Sequence, residues 1–144
     1  MQLLNETKDY HDALGLGEAL ITGYRYVINQ QPDNIKLAVN YGLALNQLGN
    51  TYKALKRHQD QLRVREEDAE LVMRINGPSA ANTLISLENL IGALLVNHFY
   101  NRAYDKMQEY LRLPVYGVEE VSVKFTAGDL ARWRAQSRSF VKCV

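Results

Sequence analysis

An all-α fold is what this 144-residue sequence predicts, and three features predict it. Apolar residues recur at spacings of three and four along most of the chain. Only three prolines, Pro32, Pro78 and Pro114, interrupt that pattern, and the short breaks between segments carry asparagine, glycine or histidine. Spacings of three and four put side chains on one face of a helix, whereas Pro and Gly mark where helices stop. Hydrophobic residues at 47% and charged residues at 23% are those of an ordinary globular chain. A chain of this length buries roughly 68–70% of its unfolded surface, enough for a core without metal or disulfide staples. One domain over residues 1–144 is expected.

The elements follow in order. From Glu18, the residues Leu20, Ile21, Tyr24, Val27 and Ile28 form one face of a helix that ends before Gln31-Pro32-Asp33-Asn34. A second helix is expected from about Asn34, carrying Leu37, Val39, Tyr41, Leu43, Ala44, Leu45 and Leu48. It should stop at Gly49-Asn50, residue types that suit the left-handed residue closing a helix. A third is expected from near Thr51, through Tyr52, Leu55 and Leu62, with a bend near Arg65, to Asn76-Gly77-Pro78. The fourth covers about Ser79 to Asn97, with Pro78 tolerated at its entrance. The fifth runs from about Phe99 to Arg112, with Tyr100, Ala103, Tyr104, Met107, Tyr110 and Leu111 on one side. Residues 118–125 are rich in β-branched side chains and are expected to be an extended connection, a short strand being the alternative. A last helix begins near Thr126 or Asp129, with Leu130, Trp133, Phe140, Val141 and Val144 as its apolar stripe.

Charge and cysteine usage narrow the function classes. Seventeen basic and sixteen acidic residues leave a net charge of +1, which gives no global attraction to nucleic acid or acidic lipid. The tail from residue 124 onward is locally basic, with Lys124, Arg132, Arg134, Arg138 and Lys142 against Asp129. Its acidic counterpart is Glu66-Glu67-Asp68-Ala69-Glu70, read as a solvated helix start. One cysteine, Cys143, makes no intramolecular bridge and fits a reducing, cytoplasmic compartment. The longest apolar run, Leu90 to Val96, is far short of the roughly 18 residues of a membrane span. The first residues carry neither the basic nor the apolar stretch of a signal peptide.

An internal repeat is also present. Leu14-Gly15 and Leu48-Gly49 lie 34 residues apart, each expected in a break between two helices, Leu20 and Ala54 share that offset, and so do Tyr24 and His58. The segment from Pro32 to Leu55 contains Asn40-Tyr41-Gly42-Leu43-Ala44-Leu45, then Leu48-Gly49-Asn50, then Tyr52-Lys53-Ala54-Leu55. It resembles a tetratricopeptide repeat, a helix–turn–helix unit of 34 residues, with Gly42 and Ala54 at the two diagnostic small positions. The stretch Leu90 to Leu94, followed by His98 to Tyr104 and Pro114, looks like a further pair, with Ala103 as its close-packing alanine. The resemblance covers about residues 3–114. It implies a short right-handed solenoid, closed by a C-terminal capping helix after an extended connection from about residue 115. Ala54 and Ala103 are 49 residues apart, so an insertion or a longer helix is expected within about residues 62–80.

Chemistry-bearing patterns are sparse. His11, His58 and His98 have no carboxylate or cysteine at metal-ligand spacing, so no metal or other cofactor is expected. No nucleophile elbow accompanies the serines, and Gly15-Leu16-Gly17-Glu18 lacks the remaining residues of a phosphate loop. A non-catalytic protein is expected. The resemblance implies that the first helix of each pair lines a concave groove. That assigns partner contacts to Lys36, Val39, Asn40, Leu43, Asn46 and Gln47 in one pair, and to Glu88, Asn89, Gly92, Leu95 and Val96 in the other. Lys36 and Asn40, one turn apart, suit a carboxylate or backbone of a bound peptide; the alternative is that they solvate an exposed face. The reading is an adaptor or chaperone for a protein or peptide partner, with homo-oligomers open. Its alternatives are an accessory domain docking onto a larger enzyme or secretion assembly, and, less favoured, nucleic-acid contact through Arg132, Arg134 and Arg138.

Overall fold

The computed structural model describes the backbone of residues 2–142 and the side chains of residues 9–136. Six helices make up the described chain, α1 (Gln2–Gln30), α2 (Ile35–Ala54), α3 (His58–Asn76), α4 (Ala81–Val96), α5 (Tyr100–Arg112) and α6 (Ala127–Lys142), and no strand occurs among the described residues. The all-α expectation is therefore met, and residues 118–125 form a connection without a strand. The helices group into two compact units, residues 1–71 and 72–144, with the boundary inside α3.

In the first unit, α1 and α2 are antiparallel. Gly17 meets Leu48 and Tyr24 stacks near Tyr41, so contacts ascend one helix as they descend the other. Helix α3 returns beside α2, with Arg65 level with Gly49 and Leu71 level with Gly42. Leu14, Ile21 and Ile28, seven residues apart on α1, are buried, as are Tyr41, Leu45, Leu48 and Tyr52 of α2 and Leu62 and Val64 of α3. Asn34 caps α2 by accepting from the Leu37 N–H at 3.1 Å, as an N-cap residue should.

Two expected breaks are absent. Helix α1 runs straight through Leu14-Gly15-Leu16-Gly17, and α2 continues past Leu48-Gly49-Asn50 to Ala54. Gly42 and Ala54 therefore share one continuous helix and are not packing partners; Gly42 faces Asp68 and Leu71 of α3, and Ala54 is exposed. The turn lies instead at residues 55–57, where Lys56 adopts the left-handed conformation at φ 58°. Lys56 N–H donates to Lys53 O and Arg57 N–H to Tyr52 O, which is the double closure of a Schellman motif. Position 49 needs glycine for space rather than for a turn. A Cβ there would stand 2.7 Å from Cζ and 2.9 Å from Nε of Arg65.

In the second unit α4 and α5 form a hairpin, closed by the same motif with His98 at φ 62°. Phe99 N–H donates to Leu94 O and His98 N–H to Leu95 O. His98 is thus the left-handed residue of a helix end, and its Nδ1 lies 2.9 Å from the Tyr100 hydroxyl. Leu84, Ile91, Leu94, Ala103, Met107 and Tyr110 are fully buried between the two helices. Helix α6 starts at a capping box. Thr126 Oγ1 accepts from the Asp129 N–H at 3.4 Å, and the Asp129 carboxylate accepts from the Thr126 N–H at 2.9 Å.

These contacts separate the glycines. Gly49→Ala should lower stability by about 1–3 kcal/mol through overpacking against Arg65. Gly15→Ala and Gly23→Ala, where nothing lies within 4 Å of the added carbon, should raise it by about 0.5–1 kcal/mol each. Urea denaturation of the three single variants measures both signs.

Candidate functional site

Helix α2 carries two faces with different duties. Its inner side, from Ala38 to Tyr52, is buried, whereas Lys36, Val39, Asn40, Leu43 and Gln47 lie together on the outer side and are exposed. Ile35, Val39 and Leu43 follow one another at four-residue spacing with relative exposures of 68%, 48% and 60%. Residues four apart lie one above the other on a helix, so they form a continuous apolar stripe. Along the same helix stand Lys36 and Lys53, with no carboxylate. Asn46 departs from this set. It is half-buried, and its amide oxygen accepts from Arg65 at 2.7 Å.

Arg65 is the least accessible cation among the described residues, 3% exposed, and α2 solvates it. Its two terminal nitrogens donate to Asn46 Oδ1 and Asn50 Oδ1, each at 2.7 Å, while its Nε lies against Gly49 and makes no hydrogen bond. Burial pulls the guanidinium below its ordinary value, and the nearby Asp68 charge works in the opposite direction. Leu48-Gly49-Asn50, taken from the sequence as a helix stop, is therefore part of a cradle for a buried charge.

A polar seam joins α1 to α3. Arg25 grips Glu67 through two bonds of 3.0 and 2.6 Å, and the Tyr41 hydroxyl also donates to Glu67. The bond to Glu67 raises the Arg25 pKa above its ordinary value, against the opposing effect of burial. Tyr52 donates to Glu18 at 2.9 Å, and burial, followed by that bond, raises its pKa. Arg57 and Arg63 share the carboxylate of Asp60 at 2.7 and 2.9 Å. A cavity of about 290 Å3 opens among Glu18, Thr22, Arg25, Tyr52, Arg57 and Arg63. Each of its arginines already faces a carboxylate, Arg25 across the seam at Glu67 and Arg57 and Arg63 locally at Asp60.

In the second unit the expected groove residues divide. Asn89, Gly92 and Leu95 are half-exposed and Val96 is exposed; with Ile85 at 50% exposure, they mark the outer side of α4. Glu88 does not line a groove. It is buried at 9% exposure, and its Oε1 accepts from the Tyr110 hydroxyl at 2.7 Å and from the Lys124 N–H at 3.1 Å. The reason is its helical phase, which points it at α5 beside Leu84, Leu87 and Ile91 rather than with Ile85 and Asn89. Ala103 is fully buried on α5. On α6, Arg132 pairs with Asp129 and Arg134 is exposed, while the side chain of Arg138 lies outside the described residues. Among the described residues no three His, Cys, Asp or Glu side chains group as metal ligands, and no helix is long and apolar enough to cross a membrane.

Compared with known proteins, the chain matches no protein-family model, no curated protein and no solved structure. The site therefore rests on its own chemistry. Sequence reading missed Arg65, Tyr110 and the Arg25–Glu67 pair. Arg65 stands three residues after Leu62 and six before Leu71, and that place along a partly apolar helix face was the available signal for the first; nothing local marks the other two, whose partners are 22 and 42 residues away.

Tyr110 makes the pH dependence specific. Burial, followed by its bond to Glu88, pushes its hydroxyl up to about 12, with the N–H groups of Phe125 and Lys124 opposing. An unfolded tyrosine titrates near about 10. The folded state thus holds the neutral phenol, and its contribution is intact below pH 10 and lost as pH rises from 10 towards about 12. The denaturation midpoint should fall across that window, and Tyr110→Phe should remove this part of the fall.

Proposed function

We propose that this chain is a non-catalytic protein-interaction module, an adaptor or chaperone holding a partner segment against exposed helix faces. The observation that carries the reading is the outer side of α2, where Ile35, Val39 and Leu43 lie exposed beside Lys36, Asn40 and Gln47. Helices of globular proteins usually turn such a stripe inward, and an apolar stripe rimmed by polar groups is a mark of an interaction surface. A basic residue and two amides on that rim suit a partner that brings apolar side chains at helical spacing and a carboxylate near Lys36. The outer side of α4, with Ile85, Asn89 and Val96, has a similar composition and supports the same reading.

The helix–turn–helix unit expected around Gly42 and Ala54 is one continuous helix, so this assignment rests on the exposed faces of α2 and α4 rather than on the tetratricopeptide likeness. A solenoid capped by α6 and a cytoplasmic setting, where Cys143 would stay reduced, belong to the same proposal. Docking onto a larger enzyme or secretion assembly is one form the partner would take. Nucleic acid is less favoured, since Arg132 is already committed to Asp129.

The test is recovery of partners from source-cell lysate at physiological and high salt, using wild type, a Lys36→Ala/Asn40→Ala double variant and Leu43→Asp. Salt-resistant recovery of one protein, lost in both variants, is expected. Their melting temperatures should stay within about 2 °C of wild type, because exposed substitutions cost about 0.5 kcal/mol or less. Undiminished recovery by both variants would remove the α2 face from the site, and salt-labile recovery of polyanions would move the function to the basic tail.

A further inference from the structure

The chain between α5 and α6 lies on the second unit as a bound peptide would. Residues 122–126 have no regular structure, yet they are held by main-chain bonds and one aromatic anchor. The Lys124 N–H donates to Glu88 Oε1 at 3.1 Å and to the Tyr110 hydroxyl oxygen at 3.0 Å, and the Phe125 N–H reaches the same hydroxyl oxygen at 3.4 Å. The Phe125 ring is buried edge-on between Tyr110 and Trp133, with centroids 5.7 and 5.1 Å away. Tyr116 donates to the Phe125 carbonyl at 3.2 Å. Between Val115 and Phe125 no residue is buried, so this strap touches the helices firmly only at its ends.

The receiving side is unusual for a helix-pair core. Glu88 and Tyr110 are a buried carboxylate and phenol 2.7 Å apart, at positions whose neighbours Leu84, Leu87, Ile91 and Met107 are apolar. A buried carboxylate is costly unless hydrogen bonds satisfy it. Here the strap's backbone supplies one of them. Because Glu88 and Tyr110 read N–H groups rather than side chains, they accept any extended backbone that offers donors at that spacing, and the slot beside Tyr110 and Trp133 selects the aromatic residue. Main-chain capture with an anchoring side chain is a recurrent mode of peptide recognition.

We propose that Glu88, Tyr110 and the adjoining aromatic slot form a peptide-binding site that the chain's own residues 122–126 occupy in cis. An extended partner segment with an aromatic residue in the Phe125 position displaces them. The site is separate from the α2 face, and its fate is independent of that reading. A tethered strap competes at an effective concentration on the order of millimolar, so the site is closed to weak ligands until the strap is loosened.

The probe is a fluorescein-labelled peptide of residues 118–128, added to the full chain and followed by anisotropy. Wild type should bind it weakly. Phe125→Ala in the protein removes the cis anchor, leaves Glu88 and Tyr110 in place, and should tighten peptide binding at least about tenfold. That gain should vanish with a peptide carrying alanine at position 125 and with an added Tyr110→Phe. Equal binding to wild type and Phe125→Ala, with helicity retained, would overturn the proposal, as would a gain that survives either control. If Phe125→Ala does not fold, Lys124→Pro, which deletes the N–H shared by Glu88 and Tyr110, replaces it. Loss of the fold in both variants would show the strap to be an inseparable part of the core, and would also overturn the exchange.

Discussion

A guanidinium with almost no access to solvent must be solvated by protein, and in residues 1–71 that demand falls on α2. Arg65 cannot shed its proton in any ordinary range, so two amide oxygens, Asn46 and Asn50, have to meet it. They lie one turn apart on the same helix. The charge also has to come close to the α2 backbone, which only a glycine at position 49 allows. These requirements hold together only if α2 is a continuous helix from Ile35 to Ala54. A turn at Gly49-Asn50 would carry Asn50 away from Asn46 and dissolve the cradle. With α2 unbroken, Tyr52 reaches Glu18, Leu48 settles over Gly17, and the chain reverses at Lys56 rather than seven residues earlier.

The second unit is organised around a different buried polar group but by the same rule. Glu88 and Tyr110 satisfy one another and together hold the N–H groups of Lys124 and Phe125. Removing either partner alone would leave a buried acceptor or donor exposed to the core, which costs more than the bond itself contributes. Phe125 and Trp133 then link the connection to α6 through edge-to-face ring contacts. A polar pair in an apolar helix hairpin thus determines where a long connecting segment lies.

Polar groups turned inward leave the outer surfaces comparatively apolar. The Arg25–Glu67 pair closes α1 onto α3, and Arg57 and Arg63 pair locally with Asp60 at the start of α3, whereas α2 and α4 present leucine, isoleucine, valine and amide side chains to solvent. That division favours recognition by shape and apolar contact, with charge as a rim feature. The two proposed partner surfaces differ accordingly. One is an exposed helix face; the other is a slot already filled by the chain's own extended segment.

Much of the architecture was determined by local sequence. Apolar spacing marked all the helices of the second half to within two or three residues, and Asn34, Gly77-Pro78, His98 and the Thr126–Asp129 cap mark true ends because each acts on backbone within a few residues of itself. The exposed set Lys36, Val39, Asn40, Leu43 and Gln47 comes only from the tetratricopeptide resemblance, whereas apolar spacing counts Val39 and Leu43 with the residues of the helix's apolar set. Tertiary structure alone decided the rest. Whether Gly49 closes a helix or makes room inside one depends on a guanidinium sixteen residues later, and whether Glu88 faces a groove or a phenol depends on Tyr110, 22 residues away. Periodicity is a property of one helix, whereas the satisfaction of a buried charge is a property of whichever elements happen to enclose it.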